Sequence, residues 1–369
     1  MKIPFLSFQG MHGALKPAVM QAMEKVYDSY YYINGPHVAA FEEEYAAWNQ
    51  VKHCVGVSNG LDALVLSLKA LGVGPGTEVI VPSNTYIASV LAITQLGGTP
   101  IFAEPRKATY NIDPSAIEAL ITPKTKGIMV VHLYGQCCEM QEITDLAAKN
   151  KLFVVEDNAQ SHGATYNDKL AGSWGDINGT SFYPGKNLGA LGDAGAITTN
   201  NVELANTVKT LKNYGSRVKY YNEVEGYNMR LDELQAAVLS VKLKHIDEWS
   251  RQRKHIAARY LDGMAGIEGL ILPETAAGAT HVYHLFVVRT TQRAALMEHL
   301  QQQGVGTMIH YPVPPHMQEA YQHLGYKKGD FPIAEEMADT LLSLPVWPGM
   351  TDEETDHVIT SVKSFFAGK

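Results

Sequence analysis

Lys186 stands in the run Thr180-Ser-Phe-Tyr-Pro-Gly-Lys-Asn-Leu-Gly189, where a strand-like stretch meets a Pro-Gly turn. Most lysines lie on solvated faces, but this one is held in a glycine-bounded loop between apolar segments, a setting that partly buries the side chain. Partial burial lowers a lysine's pKa and supplies the neutral amine that a Schiff base requires. Upstream, Leu152-Phe-Val-Val-Glu-Asp-Asn-Ala-Gln-Ser-His162 reads as an apolar strand ending in acidic and amide groups. Ligands of a parallel sheet bind beyond the carboxyl ends of its strands, which places Asp157 where chemistry is expected. A lone Asp there also serves as a cap or turn former, so its meaning depends on what faces it. A third segment, Ser58-Asn-Gly-Leu-Asp-Ala-Leu64, joins the apolar run Cys54–Val57 to a helix. Ser58 or Asn59 can cap that helix, Gly60 permits close backbone approach, and the unpaired amides of Gly60 and Leu61 face an anion at the positive end of the helix dipole. The turn either seats a phosphate or only caps the helix.

Two other chemistries fit less well. Gly185, Gly189, Gly192 and Gly195 make the lysine segment glycine-rich, but the order G-x-G-x-x-G after a first strand is absent and the run leads into a strand, which argues against a dinucleotide site. His281 and His284 are three apart on an expected strand, where side chains alternate, so they face opposite sides and make a poor metal pair. No H-E-x-x-H or paired C-x-x-C occurs.

The elements that must position these groups follow from periodicity. Between residues 50 and 200, short runs rich in β-branched residues alternate with helical-period stretches, the pattern of βαβ units and a parallel sheet. Strands are expected at Glu78–Pro82, Pro100–Ala103, Gly127–His132, Phe153–Glu156, Gly179–Phe182 and Ala194–Thr198. Leu64, Leu68 and Leu71 form one apolar stripe on the helix after the glycine turn, so that helix should pack on the sheet. A further helix is expected from near Leu231, through Leu234, Val238 and Val241, into a charged tract ending at Lys254, and the domain change is placed there. Beyond it come a strand at Tyr283–Arg289, a helix around Arg293–Gln303, a Pro-rich loop at Tyr311–His316 and a last helix after Thr351 with an acidic first turn.

A chain of 369 residues is too long for one simple core, so one large and one smaller domain are expected. No run of 18 apolar residues is present, which argues against a membrane span, and the N-terminus MKIPFLSFQG lacks the apolar core of a signal peptide, so the expected compartment is the cytoplasm. Cys137 and Cys138 are adjacent, with Cα atoms about 3.8 Å apart, closer than ordinary disulfides accept; with Cys54 they are expected to be free thiols. A formal net charge of -8 argues against a nucleic-acid surface. A small anionic ligand needs only a local patch, and Lys209, Lys212, Arg217 and Lys219 form the densest one, unless they are simply a solvated helix and loop.

In their order and spacing, the phosphate turn, the Glu156-Asp157-Asn-Ala-Gln160 strand end and the Ser181-Phe-Tyr-Pro-Gly-Lys186-Asn-Leu-Gly189 loop resemble the DegT family of nucleotide-sugar aminotransferases, fold type I enzymes that use pyridoxal 5′-phosphate (PLP). The resemblance runs from Asn34-Gly-Pro36 through Tyr227-Asn-Met-Arg-Leu-Asp-Glu-Leu-Gln-Ala-Ala237 to His310-Tyr-Pro-Val-Pro-Pro-His316. It implies an α/β fold with a mostly parallel central sheet flanked by helices, a large PLP-binding domain over residues 1–250 and a smaller α+β domain over residues 251–369. It also implies roles. Lys186 holds the cofactor as a Schiff base and, once freed, moves a proton between substrate carbon and cofactor C4′. Asp157 pairs with the pyridine nitrogen and keeps it protonated, Gln160 bonds the ring hydroxyl oxygen, and Tyr86, in Ser83-Asn-Thr-Tyr-Ile-Ala88, stacks on the ring. Gly60 and Leu61, with the cap Asn59 and Ser181, hold the phosphate, and Asn228 reaches it from the neighbouring subunit of a homodimer with shared sites.

Some family members carry histidine in place of the lysine and act as dehydratases; lysine here favours transamination. Tyr183 stands where the family often has histidine, a departure similar to a subset that aminates C-3 of a dTDP-linked 3-keto-6-deoxyhexose. That subset implies that Tyr183, His310 and Tyr311 line the hexose and that Arg217 and Lys219 approach the diphosphate; the alternative for His310 and Tyr311 is a loop closing on the large domain. L-glutamate is the expected amino donor in a ping-pong exchange. The rivals are amination at C-4 of a dTDP- or UDP-linked 4-keto sugar, and a regulatory protein that binds PLP without turnover.

Overall fold

β-Branched runs separated by amphipathic stretches assemble here into one seven-stranded sheet. The structure, a computed structural model, describes residues 1–368. In chain order the strands are β1 (His53–Val57), β2 (Glu78–Pro82), β3 (Thr99–Ala103), β4 (Thr125–Val131), β5 (Phe153–Asp157), β6 (Ile177–Ser181) and β7 (Gly195–Thr199). Across the sheet they run β1-β7-β6-β5-β4-β2-β3. All contacts from β3 to β6 are parallel, and β7 alone is reversed, pairing antiparallel with both β6 and β1. The carboxyl ends of β1, β2, β4, β5 and β6 therefore lie along one edge, with Val131 opposite Asp157 and Asp157 opposite Gly179. This is the α/β architecture expected, a mostly parallel central sheet flanked by helices.

Helices cover the sheet. After α1 (Gln9–Ser29) and α2 (Pro36–Trp48), α3 (Gly60–Ala70) buries Leu64 and Leu68 in the main core beside Val57, Val81 and Val155. The helix α4 (Ile87–Thr94) follows β2 directly and buries Val90 and Ile93 in the same core. A second core gathers Ile256, Tyr260, Phe286, Leu296, Leu342 and Val358 around the antiparallel pair Phe286–Arg289 and Leu341–Leu344. The start of the chain joins it, since Ile3 is buried there and its amide donates to Gly304 O at 2.8 Å.

Two local expectations are corrected. The helix expected to run from Leu231 to Lys254 is two helices, Glu233–Leu243 and Ile246–Gly263. The break lets Ala236 and Leu239 face the core of Phe41 and Phe182 while Ile256 and Tyr260 face the second core, two directions that one straight helix could not serve. The strand expected from Tyr283 begins at Phe286, because Tyr283 adopts φ 46°, a left-handed backbone that a strand does not continue through. His281 and His284 thus precede the strand, so the alternation expected of them does not apply. The cysteines are buried free thiols.

Candidate active site

At the carboxyl edge of the sheet the strand ends enclose a cavity of about 650 Å³, bounded by both cores. Its walls include Asn59, Gly60 and Leu61 from the start of α3, Tyr86 before α4, Asp157 and Gln160 after β5, Ser181, Tyr183 and Lys186 after β6, and His310 and Tyr311 from the C-terminal region.

The helix α3 starts as its sequence requires. Asn59 has extended backbone, and its Oδ1 accepts from the Asp62 amide at 2.9 Å, so Asn59 and not Ser58 is the cap. Ser58 Oγ and Asn59 Nδ2 both donate to Asp62 Oδ2, which locks the turn. With the Asp62 amide capped, the amides of Gly60 and Leu61 are the ones that the helix leaves without intrahelical acceptors. A side chain at Gly60 would put its Cβ 2.5 Å from Ser181 Cβ, so glycine is what lets the helix end close on β6. The cradle of two amides and one hydroxyl fits a phosphate dianion. Gly60→Ala is expected to force the turn off Ser181 and weaken PLP binding by roughly tenfold or more, read by titrating the apo-protein with PLP; unchanged affinity would remove the cradle from consideration.

The strand β5 ends in two carboxylates that its pleat sends to opposite faces. Glu156 is turned away from the cavity, where it accepts from the amides of Gly172, Trp174 and Gly175 at 2.6–2.7 Å and from His132 Nε2 at 2.7 Å. His132 Nδ1 accepts the Cys138 amide at 3.0 Å, which assigns its proton to Nε2. Asp157 faces the cavity. Burial raises its pKa, opposed by a hydrogen bond from Ser89 Oγ at 2.8 Å, one from the Ala159 amide at 3.2 Å, and the charge of Lys186.

The lysine loop is clamped by its own backbone. Phe182 donates to Ala194 O and Ala190 to Phe182 O, both at 2.8 Å, and the Lys186 amide donates to Tyr183 O at 2.8 Å. A Cβ at Gly189 would lie 2.2 Å from Pro184 O, so the turn admits only glycine there. Lys242 Nζ, itself buried, donates to Gly189 O at 2.5 Å and ties the loop to the helix Glu233–Leu243. Burial lowers the pKa of Lys186 to about 8, with Asp157 opposing the shift.

Gln160 is oriented at both ends, its Oε1 accepting the Tyr134 amide at 2.7 Å and its Nε2 donating to Tyr311 Oη at 3.1 Å. The Tyr311 and Tyr86 rings stand 5.2 Å apart, leaving the exposed Tyr86 ring at the cavity mouth. His310 Nδ1 meets Ser343 Oγ at 2.8 Å, and burial, helped by the Lys186 charge, lowers its pKa to about 4. His310 is therefore neutral at physiological pH. These groups together suit PLP: an anion cradle, a buried carboxylate for a ring nitrogen, an aromatic cover and an amine of depressed pKa.

Three expected residues lie outside this cavity. Asn228 bridges to Asn213, Arg217 donates to Thr210 Oγ1 at 3.3 Å and faces Glu223 at 3.5 Å, and the Lys219 ammonium sits 5.1 Å from the Tyr220 ring centroid. Arg217 and Lys219 belong to an exposed hairpin, Ser216–Val218 and Tyr221–Asn222. Of the basic stretch, Lys212 is neither solvated nor free, since it is buried and donates to Gly56 O at 2.7 Å beside Glu42.

The structure adds wall residues that sequence reading missed. Ser89, on α4, was missed as well; it does not line the cavity itself but, fully buried, donates from Oγ to Asp157 Oδ2 at 2.8 Å. His284, weighed from sequence only as half of a poor metal pair, lines the cavity with Nδ1 3.2 Å from Asn187 Oδ1. Phe5 and Leu6 line it too, and nothing local in the first ten residues marks them. Among the described residues, no cluster of His, Cys, Asp and Glu could hold a metal and no helix is long and apolar enough to cross a membrane.

Comparison with known proteins gives the family. Residues 14–363 match the model of the DegT/DnrJ/EryC1/StrS aminotransferase family. The chain is 50% identical over 363 residues to the dTDP-3-amino-3,6-dideoxy-alpha-D-galactopyranose transaminase of Aneurinibacillus thermoaerophilus, covering 98% of this chain and 99% of that protein. It is 46% identical over 364 residues to the erythromycin biosynthesis sensory transduction protein EryC1 of Saccharopolyspora erythraea, covering 99% and 100%. Its fold matches that of S. venezuelae DesV, solved in complex with a ketimine intermediate, with a TM-score of 0.97 at 45% identity over 99% of this chain and 98% of that one.

Proposed function

The chain belongs to the DegT/DnrJ/EryC1/StrS aminotransferase family, and from that premise we propose that it transfers the amino group of L-glutamate to the C-3 keto group of a dTDP-linked 3-keto-6-deoxyhexose, making a dTDP-3-amino-3,6-dideoxyhexose. The class is established: the protein is a PLP-dependent nucleotide-sugar aminotransferase. The finer reading is carried by the 50% identity to a dTDP-3-amino sugar transaminase over nearly the whole of both chains.

PLP, when bound, supplies an aldehyde that captures an amine and a protonated pyridine ring that accepts the electron pair left on the substrate carbon. The protein's own groups do the rest. The amides of Gly60 and Leu61, with Ser181 and the cap Asn59, hold the phosphate. Asp157 would keep the proton at the ring nitrogen, Gln160 would donate to the ring hydroxyl oxygen and Tyr86 would cover the ring. Lys186 would hold the cofactor through its amine at the aldehyde and, when free, its Nζ would hold and move the proton lost from the substrate carbon. Tyr183, His310 and Tyr311 frame the space left for the hexose.

Asn228, Arg217 and Lys219 enter this scheme through a second copy of the chain. In a homodimer Asn228 would reach the partner's phosphate seat, and Arg217 and Lys219 the partner site's diphosphate. Two features support that arrangement: these residues lie outside their own cavity, and the hairpin that carries Arg217 and Lys219 exposes Tyr220 and Tyr221 at 85% and 72%. Large exposed apolar groups of this kind mark association surfaces.

A regulatory role is favoured by the names of two relatives, the 46% identical sensory transduction protein and a 42% identical pleiotropic regulatory protein of Geobacillus stearothermophilus. The joint presence of Lys186, Asp157 and Gln160 around one cavity weighs for turnover. Incubation with glutamate and matched 3-keto and 4-keto dTDP-hexoses decides: an amine at C-3 is the expected product. An amine at C-4 would transfer the reading to 4-keto sugars, and exchange with neither sugar nor labelled glutamate would support the regulatory one.

A further inference from the structure

We propose that Ser89, backed by Thr85, is a positioning residue of the active site: a two-hydroxyl relay that keeps Asp157 an acceptor toward the cofactor ring. The inference rests on the PLP reading of the cavity and adds to it a group outside the expected contacts. The three side chains form a chain of short bonds, with Thr85 Oγ1 2.9 Å from Ser89 Oγ and Ser89 Oγ 2.8 Å from Asp157 Oδ2. Ser89 is fully buried, and Thr85 and Asp157 are nearly so, at 3% and 7% exposure. Water therefore does not substitute for either hydroxyl.

The direction of the bonds follows from proton count. Ser89 has one hydroxyl proton, and an ionised Asp157 can only accept, so Ser89 donates to Asp157 and Thr85 donates to Ser89. On the other carboxylate oxygen, Oδ1, the Ala159 amide at 3.2 Å can only donate. Both oxygens are thus supplied with donors that favour the charged form, in a place where burial alone favours the neutral one. The charged form is the one that a ring-nitrogen proton needs opposite it.

The relay also has a position in the fold that links two functions. Thr85 and Ser89 flank Tyr86, the N-cap of α4, and are one helical turn apart; the Ser89 amide donates to Tyr86 O at 3.3 Å. One short turn therefore carries the aromatic cover for the ring and the donor for the ring's counter-ion. A shift of this turn moves both together.

The experiment compares wild type, Ser89→Ala, Ser89→Thr and Thr85→Val in PLP titrations of the apo-protein across pH, followed by steady-state kinetics. Of the titratable groups around Asp157, Lys186, whose charge acts on it, the phenol of Tyr311 and the neutral ring of His132 are unchanged in every variant. Losing the Ser89 donor raises the pH at which Asp157 takes up a proton, so the acid limb of the affinity profile should move upward in Ser89→Ala, with affinity near neutrality down about tenfold. The value of kcat should fall more than KM rises. Ser89→Thr should restore the limb, and Thr85→Val should shift it in the same direction by less. An acid limb unmoved in Ser89→Ala and Thr85→Val overturns the relay, even if affinity falls, because a merely structural defect would lower affinity without moving the profile. Should Ser89→Ala not fold, the Thr85→Val profile decides in the same way. If wild type itself binds no PLP, the reading beneath the inference fails with it, a result separable from failure of the relay alone.

Discussion

Lys186→Ala is expected to abolish transamination. Lys186 is both the amine that captures the cofactor and the carrier of the proton between two carbons, and general acid-base catalysis alone contributes about 10²- to 10⁴-fold. Removal of both roles should lower kcat by about 10⁴-fold or more in single-turnover assays with glutamate. PLP should still bind, because the cradle at Gly60 and Ser181 and the carboxylate of Asp157 are untouched. Borohydride should fix the cofactor covalently to wild type and not to the variant. Persistent fixation at another lysine would remove Lys186 from the mechanism.

The same residue makes a pH prediction. Burial brings the Lys186 pKa down to about 8. The neutral, reactive amine is the form above that pKa, so at pH 7 about one molecule in ten carries it, against a few in ten thousand for an ordinary lysine. Capture of PLP by the apo-protein should accelerate about tenfold per pH unit up to the region of pH 8 and then level. A rate still climbing at pH 10 would mean that the amine is solvated in solution.

Asp157→Ala is expected to have the second-largest effect. An ionised carboxylate paired with a buried ring cation is a pair whose rupture costs about 3–5 kcal/mol, because it leaves a charge uncompensated. That corresponds to a fall of about 10²- to 10⁴-fold in kcat, through a pyridine that no longer holds its proton. Asp157→Asn should fall within the same range although it preserves shape, since an amide cannot hold a proton on the ring. A drop in PLP affinity with kcat unchanged would instead reduce Asp157 to an anchoring role. The Ala variant also leaves Ser89 with no acceptor, so it tests the end of the relay at which proton demand originates.

The strands that carry the site were legible because their signal is local. Val, Ile and Phe runs at Glu78–Pro82 and Phe153–Asp157 are buried on both faces by helices, so each is nearly continuous in sequence and ends abruptly where the sheet edge opens to the cavity. The helix break at Lys244 and the early end of the Tyr283 strand were illegible for the opposite reason. Periodicity there continues through a point where the chain turns toward a different core, and which core a face meets is decided by residues distant in sequence. Tyr283 shows the same: its left-handed backbone goes with the close approach of Gly135, whose added Cβ would lie 2.8 Å from His284 N.

Sequence by itself determined the chemistry of this protein: a lysine, an aspartate and a glycine-started helix, each at a strand end, because reactive groups need particular residue types and those types stand out in short motifs. Tertiary structure decided which face each group uses and what conditions it. Glu156 and Asp157 are adjacent carboxylates, yet only the pleat and the loop at Gly172–Gly175 assign one to scaffolding and the other to the cavity. Ser89 lies 68 residues from Asp157 along the chain, and Phe5 reaches the cavity because Ile3 is anchored in the far core. Hydrogen bonding and burial act over a few ångströms in space, whatever the separation along the chain, and that distance exists only once the sheet has formed.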